Sequence, residues 1–311
     1  MTATITNLTV RKLSARLGAE ITGLNLAGQL DAATVASIRA ALTEHKALIF
    51  HCPNLDDAGQ QRFASYFGPL TTAHPTVSSV EGAPNVLPVD SETGMRSNHW
   101  HTDATFVLNP PQITILRGLV IPPYGGETLI ANTATAYQDL PTVLRDFADT
   151  LWAVHSNDYS YNVRHETLPQ EDRERLAVHA SSVFQTAHPV VRVHPLSGER
   201  GLFLGGLAQR IVGLSLEESP EILRLFGSYV TRPENVLRWS WAPGQLVMFD
   251  NRVTQHYAID NYDDQPRRLH RVTVTGEVPV GVDGGRSYVI KGDAKPYTAP
   301  DAGSNTDRPV T

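Results

Sequence analysis

The stretch NHWHTDATF (Asn98–Phe106) sets three potential metal ligands, His99, His101 and Asp103, at alternate positions. Alternate side chains of an extended chain point to the same side, so all three could share one face. His101 and Asp103 would supply an imidazole and a carboxylate, and a third ligand could come from anywhere in the fold. Two histidines and one carboxylate on one face of an octahedron leave three positions open, the arrangement with which non-haem iron(II) centres activate oxygen. Taken alone, His-x-Asp is a weak signal, and a polar strand end with a hydrogen-bonded histidine is the simpler reading. A distant segment adds weight. QLVMFDNRVTQHYAI ends a strand, turns, and puts His256 at the start of another; Arg267 and Arg271 follow in PRRLHRVTVTG. If Asp260–Gln265 forms a hairpin loop, all three fall in neighbouring strands. Arginine offers a planar fork of N–H donors that suits carboxylates, which a carboxylate-bearing cosubstrate beside an open iron site would need. Singly, either arginine is more simply a surface ion pair.

These residues need a scaffold, and the composition allows one. With 311 residues, 41% hydrophobic and 19% charged, the chain can bury a sizeable core. No linker, repeat or low-complexity tract divides it, so a single domain over 1–311 is expected. A formal net charge of −6 with scattered Lys and Arg argues against a nucleic-acid surface. No apolar run approaches the roughly 20 residues of a membrane span, and the N-terminus lacks a signal-peptide pattern, so the expected location is the cytoplasm. The single cysteine, Cys52, excludes an intramolecular disulfide and reads as a packed core thiol.

Asp31 is placed to cap a helix with Val35, Ile38 and Leu42 on one face, and Asp56 to cap one carrying Phe63, Tyr66 and Phe67. ALIFH (Ala47–His51) between them reads as a buried strand. Further strands are expected at Gln112–Ile121, Glu127–Thr133 and, as a hairpin around LSGER, in VVRVHP and GLFLGG. Helices are expected around Tyr137–Trp152 and over Leu216–Val230. The C-terminal third is strand-rich: NVLRWSW, QLVMFDN, QHYAI and RLHRVTVTGEV. Many short strands with helices gathered mostly in the first half predict a mainly β fold, a sandwich or barrel with flanking helices. Two segments without sustained periodicity, 71–97 and 156–185, are expected to be mobile lids.

The pieces WHTDATF, GGETLIANT, HPVVRVHPLSGER, WAPGQLVMFDNRVTQHYAIDNY and PRRLHRVTVTGEVPVGVDG, with LGAEITGLNL near the N-terminus, resemble the taurine dioxygenase-like iron(II)/2-oxoglutarate-dependent oxygenases. LWAVHSNDY, HPVVRVHPLSGER and GEVPVGVDG resemble more narrowly the alkyl sulfatases, the sulfate ester dioxygenases of that family. The resemblance implies a double-stranded β-helix (jelly-roll) core and an oxidoreductase using iron(II), 2-oxoglutarate and O2. It implies His101, Asp103 and His256 as iron ligands, and Thr128 and Arg267 as 2-oxoglutarate contacts. Substrate contacts are implied at His74, Asn98 and Arg271, although Arg271 could also serve the cosubstrate. The implied substrate is a small anionic molecule, an alkyl sulfate ester hydroxylated beside the ester oxygen to release sulfate and an aldehyde. Taurine or another sulfonate, a phenoxyalkanoate or a small carboxylate is the alternative. Members of the family are often dimers or tetramers.

The chain departs from the family in having Phe249 where relatives commonly carry tryptophan, IFHCPN after the first buried strand, and His99. His99 is not expected to bind iron; it borders the substrate entrance or supports Asp103. His188 and His194 each precede proline and are read as structural. His155 is read as closing a helix end, where it could line the pocket. Trp239 and Trp241 are read as core packing, and His270 as facing away from Arg271. A zinc hydrolase could use the same three ligands but would not need Thr128 and Arg267, and a non-catalytic sandwich that binds a small ligand is the reading without an enzyme.

Overall fold

An apolar run that is hydrophobic at every position, such as LVMF (Leu246–Phe249), must be covered on both faces. The computed structural model, which describes residues 8–75, 77–91, 97–158, 182–292 and 297, does this with three layers. In chain order the elements are β1 (Thr9–Lys12), β2 (Ala19–Thr22), α1 (Ala32–His45), β3 (Ala47–His51), α2 (Asp57–Ser65), β4 (Leu87–Asp90), β5 (Ile113–Val120) and β6 (Thr128–Asn132). There follow α3 (Thr133–Gln138), α4 (Thr142–Asp149), β7 (Trp152–Ser156), β8 (Gln185–Pro189), β9 (Val191–Val193), β10 (Arg200–Leu202), β11 (Ala208–Ile211) and α5 (Glu218–Val230). The chain closes with β12 (Val236–Trp239), β13 (Gln245–Asp250), β14 (Thr254–Ala258), β15 (Arg268–Val274) and β16 (Tyr288–Lys291).

A seven-stranded sheet in the order β1-β2-β3-β13-β5-β15-β4 faces a three-stranded sheet β12-β6-β14, the jelly-roll core expected. Along β13 the side chains alternate between two cores. Leu246 and Met248 pack with Ile38, Leu42, Phe63 and Phe67 of the α1–α2 layer. Val247 and Phe249 pack on the other side with Ile49, Leu116 and Ile130. The candidate ligands His101, Asp103 and His256 sit on that second side, between the sheets. A further core lies under α3 and α5, where Tyr137, Phe226 and Val230 meet Val191 and Leu202 of the β9–β10 hairpin.

The helix caps expected are present: Asp31 accepts from the Thr34 N–H and Asp56 from the Gly59 N–H, both at 2.7 Å. Cys52 is buried, and burial pushes its thiol up to about 11. Other expectations change. The helix expected over Tyr137–Trp152 divides into α3 and α4, with Pro141 between them, and Trp152 opens β7 instead. His155 therefore lies on a strand, fully buried, its Nδ1 2.8 Å from the Thr105 hydroxyl. Segment 71–97 contains an ordered edge strand, β4, whose Pro88 is tolerated because the strand pairs on one side only, with β15. Most of the second expected lid, 159–181, lies outside the described residues.

The largest correction concerns the last two strands. His256 on β14 and Arg271 on β15 are not on neighbouring strands: β14 pairs with β6 in the small sheet, whereas β15 pairs with β4 and β5 in the large one. The connection after Ala258 crosses between layers, so the two residues approach across the sandwich. His270 faces away from Arg271, as the alternation requires; its Nδ1 lies 2.6 Å from Asp57 Oδ1 on α2, which also pairs with Arg117.

Candidate metal and anion site

His101 and His256 are brought together by their backbones. The His101 N–H donates to the His256 carbonyl at 3.0 Å, and the His256 N–H returns the bond at 2.8 Å. The Ala258 N–H donating to the Ser97 carbonyl (3.1 Å) and the Thr102 hydroxyl donating to the Thr254 carbonyl (2.7 Å) extend the same seam in both directions. The segment carrying NHWHTD is thus laid along β14, and the two rings stand 4.1 Å apart. Immediately after Asp103 the chain reverses at Ala104, whose φ of 47° lies in the left-handed region. For a residue with a Cβ this costs about 1–3 kcal/mol, strain of the kind that collects at functional sites.

Asp103 Oδ1 lies 4.0 Å from His101 Nε2 and 3.9 Å from His256 Nε2. One ligand atom from each of the three residues falls within 4.8 Å of the others, and all three residues are buried. The carboxylate is held from behind: the Thr114 hydroxyl donates to Oδ2 at 2.6 Å, and Arg271 Nη1 donates to Oδ1 at 2.5 Å. His101 Nδ1 lies 2.7 Å from the His99 carbonyl, which fixes the proton on that nitrogen and leaves the Nε2 lone pair toward Asp103. The Phe249 ring packs 4.6 Å from that of His256, so the aromatic that replaces tryptophan still supports the histidine.

Burial disfavours the imidazolium form and pushes His101 down to about 3 and His256 down to about 4. Burial would raise Asp103, but Arg271 above all, with both histidines and the Thr114 hydroxyl, holds it well below the usual carboxylate range. At neutral pH the set is two neutral imidazoles and one carboxylate, the protonation state that metal binding requires.

Two arginines keep unused donors: Arg271, which bonds this cluster, and Arg267, just before β15. Arg271 spends Nη1 on Asp103, while Nε and Nη2 are buried without a hydrogen-bond partner. Arg267, 4% exposed, donates Nε to the Gly126 carbonyl at 2.9 Å, and its Nη2 is likewise buried without a partner. Gly126 has a φ of 67°, and a Cβ there would stand 3.0 Å from the Arg267 Cδ and Nε, so the guanidinium can lie this close only over glycine. Two residues on, the Thr128 hydroxyl accepts from the Trp241 indole N–H at 2.9 Å. Trp241 is therefore more than core packing: it orients the Thr128 hydroxyl. The signal for this was the register that sets β12, just before Trp241, beside β6.

Of the other expected residues, His74 packs edge-on to Phe106 with ring centroids 6.2 Å apart. Asn98 is exposed, unlike the buried ligand set. His99 stacks on His101 at 4.6 Å, and a Cβ on Gly206 would stand 2.8 Å from its ring. The described partners of Asp103 are Thr114 and Arg271, so the expectation that His99 supports Asp103 by a hydrogen bond is replaced by its support of His101. His99→Ala is expected to retain the capacity to bind a metal ion, measured by metal analysis after reconstitution. Loss of metal in that variant would make His99 a ligand.

No helix among the described residues is long and apolar enough to cross a membrane. Residues 9–273 match the family described as "Taurine catabolism dioxygenase TauD, TfdA family". The chain is 50% identical over 279 residues to an alpha-ketoglutarate-dependent sulfate ester dioxygenase of Pseudomonas putida, covering 89% of this chain and 92% of that protein. It is 47% identical over 279 residues to an alkylsulfatase of Acinetobacter baylyi, covering 89% and 88%. A crystal structure of a taurine dioxygenase from Burkholderia xenovorans superposes with a TM-score of 0.79 at 38% identity, covering 94% of this chain and 99% of that one.

Proposed function

Because the chain belongs to the TauD/TfdA dioxygenase family, we propose that it is an iron(II)/2-oxoglutarate-dependent dioxygenase that hydroxylates an alkyl sulfate ester at the carbon bearing the ester oxygen. One observation carries the reading: a buried His-Asp-His cluster is bonded by Arg271, and both Arg271 and the buried Arg267 keep buried N–H groups without an acceptor. Two cations with unfilled donors ask for two anions, and a dicarboxylate cosubstrate with a sulfate ester supplies them.

The donor set fits iron. Two imidazoles and one carboxylate, held on one side by the backbone seam, leave the remaining coordination positions to small molecules. When bound, iron(II) with 2-oxoglutarate and O2 supplies the oxidation, delivering one oxygen atom to a substrate C–H bond while the cosubstrate becomes succinate and CO2. The protein's own work is orientation. Arg267 would pair with a 2-oxoglutarate carboxylate, and the Thr128 hydroxyl, its oxygen already engaged by Trp241, would donate its proton to the same group. Arg271 would hold the sulfate through its Nε–Nη2 edge while Nη1 stays on Asp103, tying the head group to the ligand set by one rigid guanidinium. The hydroxylated ester is hemiacetal-like: its C–O bond to sulfate breaks, the hydroxyl proton leaves, and an aldehyde and hydrogen sulfate result.

The 50% identity to a sulfate ester dioxygenase supports the choice of ester over sulfonate. A panel of linear alkyl sulfates, alkanesulfonates and carboxylates, assayed by succinate release and oxygen uptake, tests it. Turnover is expected to be fastest with sulfates and to require 2-oxoglutarate. Sulfate release without oxygen uptake would instead identify a metal hydrolase, and a faster sulfonate would reassign the substrate.

A further inference from the structure

Near the end of the described chain, Tyr297 is 2% exposed, its ring packed with Ala104, Phe106, Val107, Phe184 and Leu207. Ala104 to Val107 directly follow the Asp103 ligand, so this ring forms part of the wall beside the cluster. Its backbone is tied there: the Thr72 N–H donates to the Tyr297 carbonyl at 3.3 Å, one residue from Thr71. Thr71 and Thr273 share a hydroxyl–hydroxyl hydrogen bond of 2.5 Å. Thr273 lies two residues from Arg271 on β15, hence on the same face, and opposite Thr114, which bonds Asp103.

The Tyr297 hydroxyl is buried near the Thr273 and Thr71 hydroxyls but makes no hydrogen bond of ordinary geometry. Burial raises its pKa above tyrosine's ordinary value, with the Arg271 charge and the neighbouring Thr273 and Thr71 hydroxyls acting in the opposite direction, so at neutral pH it is an intact O–H donor. A buried unsatisfied hydroxyl is costly, and a phenylalanine would fill the same apolar wall without that cost. Three donors without acceptors therefore belong to one neighbourhood: Arg271 Nε, Arg271 Nη2 and Tyr297 Oη. A tetrahedral sulfate has three terminal oxygens, enough to accept from the guanidinium edge and from a hydroxyl together.

We propose that Tyr297 is a substrate-binding, specificity-determining residue whose hydroxyl donates a hydrogen bond to the anionic head group held by Arg271. The proposal rests on the sulfate-ester reading above and deepens it, adding a residue from the C-terminal part of the chain to the substrate site. A planar carboxylate can occupy the two guanidinium donors, but it lacks the third terminal oxygen with which a sulfate reaches the phenol.

The test is calorimetric binding of hexyl sulfate and of 1-hexanol to the iron(II)/2-oxoglutarate-loaded protein under anaerobic conditions, with Tyr297→Phe beside the unaltered chain. The variant should bind hexyl sulfate about 10- to 100-fold more weakly, with unchanged affinity for 1-hexanol and for 2-oxoglutarate. Without ligands its Tm should be equal or higher, because only an unsatisfied hydroxyl is lost; a hydroxyl with a structural role would lower it. Equal hexyl sulfate affinity in the two proteins would reduce Tyr297 to packing and overturn the proposal alone. If the unaltered protein bound hexyl sulfate no better than 1-hexanol, the sulfate-ester reading would fail and take this proposal with it.

Discussion

His256→Ala should yield a folded protein that no longer holds iron(II) and no longer turns over. The fold is expected to survive because the seam between His101 and His256 is made by main-chain groups, which alanine keeps, and the Thr102–Thr254 bond is untouched. What disappears is one of the two imidazoles that burial holds neutral at pH 7. Removing a group that only supports a ligand typically weakens a site about 10–100-fold; removing the ligand itself should exceed that. Metal analysis after anaerobic reconstitution, together with the absorption band expected when 2-oxoglutarate joins iron(II), provides the readout. His270→Ala is the matched control. That histidine is also buried, but it meets Asp57 on the far face of the large sheet. Losing this contact should lower Tm and leave the iron content unchanged. If His256→Ala retained stoichiometric iron, the cluster would not be the metal site.

How much of this was legible in the sequence depended on the range of the signal. His101 and Asp103 are two residues apart, and a spacing of two on an extended chain has one geometric meaning, so the local half of the site could be read directly. The caps at Asp31 and Asp56 are local in the same way. The strands QLVMFD and RLHRVTV were legible as strands because period-two and fully apolar runs have few other solutions. Their sheet assignment was not. The pattern of β14 is compatible with pairing to β15 in a hairpin, and only the competition for β6 decides that it crosses to the other sheet. Trp241 packs in the core as expected, but its second role was hidden for a related reason. An indole in an apolar setting reads as packing alone unless the neighbouring strand is known; here β12, which ends two residues before it, pairs with β6 and brings Thr128 against its N–H. Tyr297 carried no pattern at all, since its importance comes from neighbours at Thr71, Ala104 and Arg271 that no window of sequence contains.

Arg267→Gln is expected to weaken 2-oxoglutarate binding by roughly 30- to several-thousandfold, the range that 2–5 kcal/mol for one partner of a buried charged pair implies. The guanidinium is buried, and burial lowers its pKa from the ordinary arginine value, with Tyr262 acting in the opposite direction. Its one described side-chain bond runs from Nε to the Gly126 carbonyl, a neutral acceptor. A buried cation that meets only a neutral carbonyl and the face of the Tyr262 ring, 6.0 Å away, is costly in the ligand-free protein and valuable once a carboxylate arrives. Two effects of opposite sign should therefore appear together: the ligand-free variant melts at the same or a higher temperature, while its affinity for 2-oxoglutarate collapses. Arg267→Lys should recover only part of that affinity, since an ammonium keeps the charge but cannot hold the Gly126 carbonyl and a carboxylate with one planar fork. Calorimetric titration with 2-oxoglutarate, run in parallel with hexyl sulfate, also tests the division of labour between the arginines. If Arg267→Gln spared 2-oxoglutarate and lost the sulfate ester, the two guanidinium groups would have exchanged roles, and Arg271 would be the cosubstrate anchor bonded to Asp103.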